Sequence, residues 1–189
     1  MTETPASTVV IEPYLDIAGR EQLIAGLDEI FFATSNTQSF ASDAARAAFQ
    51  TRWLGRYLEH DARWAYVARA SSGKIAGYLA GSLDDPAVTE RFSDIAYFAT
   101  FKDVTRRYPA HLHVNLAAEF RGHGIGGLLV ERFLCDAAAA GAPGVHVVTS
   151  RGARNVAFYT RLGFAERGAA GEGVREVVLL GRPLARPLT

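Results

Sequence analysis

Arg121-Gly122-His123-Gly124-Ile125-Gly126-Gly127 is the segment on which the reading of this chain turns. Before it lies an alternating run, His111-Leu112-His113-Val114-Asn115-Leu116-Ala117. After it Ile125, Leu128, Leu129, Phe133 and Leu134 recur at helical spacing. A strand therefore runs through a glycine turn into a helix. Glycines let backbone N–H groups swing toward a ligand, and a helix N-terminus adds the positive end of its dipole, so such a turn suits a diphosphate. A tight turn alone needs one or two glycines; Gly122, Gly124, Gly126 and Gly127 after Arg121 favour the anion site.

Two registers fit the turn. In the first, Gly122-x-Gly124-x-x-Gly127 matches the dinucleotide fingerprint. That fold wants an acidic residue at the tip of the next strand for the ribose, and the tip here is Thr149-Ser150-Arg151, where an arginine suits a 2′-phosphate instead. Only 62 residues follow Gly127, too few for a second mononucleotide half. A P-loop fails outright, because Gly73-Lys74 is followed by Ile75. The second register, Arg121-x-x-Gly124-x-Gly126, gains its meaning from what surrounds it.

Upstream, Val9-Val10-Ile11 reads as a strand ending near Pro13, and Leu23, Leu27, Ile30 and Phe31 mark a helix over about residues 18–32. A second helix starts after Ser42 and Asp43 and carries Phe49, Trp53, Tyr57 and Leu58. Residues 64–68 and 75–79 flank Ser71-Ser72-Gly73 as a hairpin. Residues 84–109 have aromatic residues among charges and no period, so they read as an irregular or partly helical insertion. Downstream, Pro143-Gly144 ends the long helix and Val145–Val148 is a strand. Ala153–Leu162 is a helix closed by Gly163, where a left-handed cap belongs. Phe164 opens a further strand, and Val174–Leu180 is the last. The order predicts one α/β (α+β) domain over residues 1–189, with a mixed, mostly antiparallel sheet of about seven strands and helices on both faces.

Composition sets the limits. Of 189 residues, 49% are apolar, enough for a core, and 20 basic residues balance 20 acidic ones, which argues against disorder and against nucleic acid as the main partner. A single cysteine, Cys135, excludes an intrachain disulfide and a multi-thiolate zinc site. Read as mid-helix in an apolar setting, it is not a candidate nucleophile. The opening residues have no basic region before an apolar core, and no run approaches the roughly 18 apolar residues of a membrane span. A cytoplasmic protein is expected, with no membrane partner. The two lysines, Lys74 and Lys102, against many arginines and alanines point to a GC-rich bacterial gene.

With Arg154-Asn155-Val156-Ala157-Phe158-Tyr159-Thr160-Arg161-Leu162-Gly163-Phe164 following the glycine motif and a strand between them, the chain resembles the GNAT superfamily of N-acetyltransferases. The likeness is strongest over about residues 110–166. Within it, Tyr108-Pro109-Ala110-His111-Leu112-His113 looks like the acetyltransferase-like domain of O-GlcNAcase. The resemblance implies acetyl-CoA as cosubstrate, bound where the strands at 112–117 and 145–149 splay. It implies that Leu116 and Ala117 pair with the pantetheine arm, and that the amides of Arg121, Gly122, His123, Gly124, Ile125, Gly126 and Gly127 hold the diphosphate. The family's pantetheine asparagine falls near Gly152; Asn155 either replaces it or faces solvent.

Amine attack on a thioester needs a base, a stabilised oxyanion and a proton for the departing thiolate. Tyr159 matches the family's general acid; the alternative is a core tyrosine beside Phe158 and Phe164. An amide near Leu116 suits the oxyanion. The base is less legible, since Val145–Thr149 has no carboxylate and Asn115 stands where an acidic residue is expected. Strand alternation puts His111, His113 and Asn115 on one face, which makes His113 the candidate base and Asn115 a substrate-binding residue. A core histidine, or a carboxylate such as Asp103 from the insertion, are the alternatives. No metal is expected. The acceptor is a small-molecule or peptide amine, with Trp53, Tyr97, Phe98, Phe101 and Tyr108 as an aromatic wall or as core. A homodimer through the last strands is compatible with this reading. The rival to an enzyme is a non-catalytic acetyl-CoA-binding module.

Overall fold

The computed structural model describes residues 9–185. Residues 1–8, which hold much of the segment read above for a secretion signal, lie outside the described residues, as do residues 186–189. Seven strands, β1 (Val9–Pro13), β2 (Ala65–Ala70), β3 (Ile75–Ser82), β4 (Ala110–Leu116), β5 (Gly144–Ser150), β6 (Ala165–Ala170) and β7 (Val177–Pro183), form a sheet in the order β1-β2-β3-β4-β5-β7-β6. β4 and β5 pair in parallel at Ala110↔Val145 and His111↔His146. The pairs β1–β2, β2–β3, β5–β7 and β6–β7 are antiparallel. A parallel pair needs a crossover, and the helix opened by the glycine turn supplies it. The expected mixed, mostly antiparallel sheet is what the chain forms.

Backbone contacts divide the chain into two compact units. One comprises the residues up to Gly81 together with His113–Phe133. In it α1 (Arg20–Thr34) buries Leu23, Leu27, Ile30 and Phe31, the stripe expected from spacing. Ser42 caps α2 (Asp43–Gln50) by accepting the Ala45 N–H. The helix does not stop there. A π turn over Thr51–Gly55 joins it to α3 (Arg56–His60), so the single regular helix read from spacing carries one extra residue per turn in its middle. At Gly77 a Cβ would lie 2.3 Å from the Leu116 side chain and 2.6 Å from the Asn115 carbonyl, so β3 approaches β4 more closely than any other residue allows.

The other unit comprises Ser82–Leu112 and the residues from Leu134 on. Residues 84–109 are partly helical, with α4 (Ala96–Thr100) and α5 (Lys102–Thr105) anchored by buried Phe92, Phe98, Phe101 and Tyr108. Three of the five aromatic residues weighed for an acceptor wall, Phe98, Phe101 and Tyr108, are thus core. Arg154–Arg161 forms α7, followed by Gly163 at φ 79°, the left-handed closure expected. The last strand is displaced from its expected span. Val174 is fully exposed in a 3-10 turn, and β7 begins only at Val177, where pairing with Ser150 of β5 begins.

The long helix α6 (Ile125–Ala139) corrects two expectations. Leu128, counted with the apolar stripe, is 55% exposed, whereas Ile125, Leu129, Val130, Phe133, Leu134 and Ala137 are buried. Cys135 is exposed rather than in an apolar setting, because the stripe passes through its neighbours Leu134 and Ala137.

Candidate active site

The turn before α6 is open to solvent from Arg121 to Gly124. Gly122 and Gly124 both take φ 80°, a left-handed conformation that only glycine adopts without strain. A Cβ at either would meet nothing within 4 Å, so conformation rather than crowding requires glycine. The helical ladder opens with Leu128 N–H donating to the Gly124 carbonyl. The amides of Ile125, Gly126 and Gly127 therefore precede the first helical bond, where donors lack partners within the helix. This arrangement fits a diphosphate, with donors and dipole aimed at an open turn and no side chain in the way. Arg121 is exposed, and its Nε donates to the Leu116 carbonyl at 3.2 Å. Ala117 N–H donates to Ala76 O of β3 at 3.0 Å. The Ala117 carbonyl in turn accepts from Phe120 N–H at 3.0 Å, so three of the backbone groups expected to meet pantetheine have partners within the protein.

The alternating residues of β4 meet three different surroundings. His111 is buried, edge-on to Phe92 at 4.8 Å and stacked on His146 at 5.4 Å. His146 is fully buried and gives Nδ1–H to the Tyr108 carbonyl, while burial pulls its pKa down to about 4, so it is neutral at pH 7. His113 is half-buried, with its Nε2 3.2 Å from the Tyr57 hydroxyl and the Trp53 ring edge-on at 5.6 Å. Asn115 is half-buried too. Its Oδ1 accepts from Thr34 at 2.9 Å and its Nδ2 donates to Tyr78 at 3.0 Å. Asp103, the carboxylate offered from the insertion, is exposed. Among the described residues no group of three or more His, Cys, Asp or Glu side chains could hold a metal ion.

Tyr159 is buried on α7, its ring 5.0 Å from Phe158 and 5.4 Å from Phe164. Burial pushes its phenol well above the ordinary value, so it holds its proton at neutral pH. Asn155 is exposed and accepts the Thr149 hydroxyl proton at 2.8 Å. Arg151, which would have suited a 2′-phosphate, is held instead by two carboxylates. It is bidentate to Glu166 at 2.8 and 3.3 Å, and its Nε lies 2.7 Å from Glu176.

Sequence reading missed Tyr57, Thr34 and Tyr78 as partners of β4. Tyr57 looked like a core residue because Phe49, Trp53 and Tyr57 share a four-residue spacing, and that spacing carries no sign of a hydroxyl meeting an imidazole. Thr34 sits at a helix end and Tyr78 on a strand 37 residues from Asn115, so no local pattern links them.

Residues 61–166, more than half of the chain, match the model of the acetyltransferase (GNAT) domain family. Among solved structures, SsHAT is similar with a TM-score of 0.71 and 23% identity over 95% of this chain and 100% of its own. A Pyrococcus horikoshii protein gives 0.69 and 14%, over 94% of this chain and 99% of its own. A phosphinothricin acetyltransferase from Sinorhizobium meliloti, solved in complex with acetyl-CoA, gives 0.59 and 18%, over 94% and 89%. At these identities the structures bear on fold, and they share the α/β architecture described above. No helix among the described residues is long and apolar enough to cross a membrane. Motif order, strand order and domain match agree: the chain belongs to the GNAT acetyltransferase family, whose acyl donor is acetyl-CoA.

Proposed function

We propose that this protein is an N-acetyltransferase that passes an acetyl group from acetyl-CoA directly to a primary amine in a ternary complex. The observation that carries the reading is the open turn at Arg121–Gly124, with the first amides of α6 ahead of the Leu128-to-Gly124 bond. The amides from Gly122 through Gly127 hold the diphosphate. That of Arg121, expected to join them, donates to the Ala118 carbonyl at 3.3 Å, and the Arg121 side chain secures the end of β4 at Leu116. Leu116 and Ala117 lie along the pantetheine, and their carbonyl oxygens, each already accepting one hydrogen bond, offer it a second lone pair. Asn155 contributes its exposed amide.

In the transfer, the amine nitrogen bonds to the thioester carbon and the C–S bond breaks. The nitrogen's proton passes to His113, directly or through water, and the thiolate takes the Tyr159 hydroxyl proton. Burial keeps this phenol protonated but also makes it a weaker acid. What supports Tyr159 in this role is its place in the Phe158-Tyr159-Thr160-Arg161-Leu162-Gly163-Phe164 motif. Asn115, fixed by Thr34 and Tyr78, lines the acceptor side as a rigid polar group. The acceptor is a small-molecule or peptide amine. The two units act as one acetyltransferase domain, since the family match runs through both. A closer kinship with the acetyltransferase-like domain of O-GlcNAcase rests on Tyr108–His113 alone, and cytoplasmic location, a bacterial source and a dimer through the last strands rest on sequence.

A second reading, a module that binds acetyl-CoA without turnover, is favoured by one observation: the Asn115 position holds an amide tied into the fold, not a carboxylate. Calorimetric titration with acetyl-CoA, beside NADPH, separates these possibilities. Saturable binding of acetyl-CoA with turnover of a primary amine is the expected result. Binding without turnover across amino sugars, small amines and lysine peptides would leave the second reading, and no binding would remove both.

A further inference from the structure

The one break in the helix from Asp43 to His60 coincides with the residues that hold His113. In the π turn, the Arg56 N–H reaches the Thr51 carbonyl, an i→i+5 bond. Such turns recur at functional sites, because the extra residue re-aims the side chains beyond it at some cost in hydrogen-bond geometry. One added residue rotates the next stretch by about 100° relative to an unbroken α-helix. Trp53 lies within the turn and Tyr57 just beyond it, and both rings stand edge-on to His113, at 5.6 Å and 84° and at 5.3 Å and 79°. Tyr57 has no exposed surface, whereas His113 is half-buried. The imidazole is thus gripped from one side by a fixed wall.

We infer that Tyr57 is the positioning residue for His113: its hydroxyl oxygen accepts Nε2–H and so fixes the tautomer in which Nδ1 carries no proton and takes one during transfer. The inference rests on the reading of His113 as base. A neutral imidazole has one donor and one acceptor nitrogen, and a base must present the acceptor to its substrate. A Tyr57 that donated to Nε2 would leave the proton on Nδ1 and the ring unable to accept another. When Nδ1 becomes protonated, the Nε2–H bond to Tyr57 becomes charge-assisted and strengthens, so the contact favours the charged state formed during transfer.

Long-range proton–nitrogen NMR of the full chain reads the tautomer without any acceptor, with His113 assigned by the signal lost in His113→Gln. The expected result is Nε2–H in the wild type and a mixture of tautomers in Tyr57→Phe. Kinetics supply the second readout, as thiol released from acetyl-CoA with whichever of glucosamine, ethanolamine or a lysine peptide is turned over best. Tyr57→Phe is expected to lower kcat by about tenfold to a hundredfold, part of the 10²–10⁴ that a general base contributes, with KM for acetyl-CoA unchanged. Nδ1–H in the wild type overturns the inference even if Tyr57→Phe does not fold. An unaltered tautomer in Tyr57→Phe overturns it too. Full activity in His113→Gln removes the base reading instead, while the tautomer result still decides the Tyr57 contact.

Discussion

The Asn115 amide donates to the hydroxyl of Tyr78 at 3.0 Å, joining the middle of β3 to the outer end of β4. Thr34, the last residue of α1, closes the other side of the same amide. Burial keeps the Tyr78 phenol un-ionised at any physiological pH, so the link is between neutral groups. The strand position where a carboxylate base was expected is therefore part of the framework that sets α1 against the sheet.

Replacing Asn115 by Leu should destabilise the protein by about 1–3 kcal/mol, chiefly because the buried Tyr78 hydroxyl loses its donor. The Thr34 hydroxyl keeps the Ile30 and Phe31 carbonyls as acceptors. Asn115→Asp should lose less, since a carboxylate accepts from both hydroxyls. Urea unfolding of the two variants beside wild type measures the difference; equal stability of Asn115→Leu and wild type would show the link to be dispensable.

Stability should fall with acidification below neutral pH. His146 has a folded pKa of about 4 against an ordinary 6.5, with desolvation as the main cause and the Tyr108 carbonyl and Asp85 opposing it. Between those values the unfolded chain binds a proton that the folded chain refuses, so stability rises with pH across this window. The loss from pH 7 to pH 4 from this group is on the order of 3 kcal/mol. Denaturation midpoints at pH 7, 6, 5 and 4 should show that slope, and His146→Leu should flatten it.

Gly124→Ala places an L-residue at φ 80° and should cost about 1–2 kcal/mol in stability. Gly141→Ala, at φ 85° with open space around it, should cost the same and serves as control. Only the Gly124 variant should weaken acetyl-CoA binding in calorimetry. Equal affinities of the two variants would mean that the turn does not hold the diphosphate.

Tyr159→Phe should lower kcat by roughly 10²-fold, at the low end of what a general acid contributes, with the Kd for acetyl-CoA unchanged. Retention of full kcat would return Tyr159 to a packing role between Phe158 and Phe164.

Local regularities carried much of the architecture. The stripes of α1 and α6, the hairpin around Ser71-Ser72-Gly73, the crossover at Gly122–Gly127 and the cap at Gly163 are short-range patterns, legible because hydrogen bonding and side-chain direction repeat within a few residues. The π turn at Thr51–Gly55 was not legible, since Trp53 and Tyr57 keep a four-residue spacing whether or not a residue is added. Nor was the late start of β7, which pairing with β5 decides. The surroundings of the β4 residues depended on contacts far apart in sequence: Tyr57 to His113, and Tyr78 and Thr34 to Asn115; the same holds for Glu166 and Glu176 around Arg151 on the next loop. Sequence by itself determined the family, the order of elements and the glycine turn that opens α6, because glycine dihedrals and helix amides are local properties. Only the tertiary structure decided which polar side chains were tied into the framework, because a hydrogen-bond partner is chosen by position in space and distant residues leave no mark on one another's local pattern.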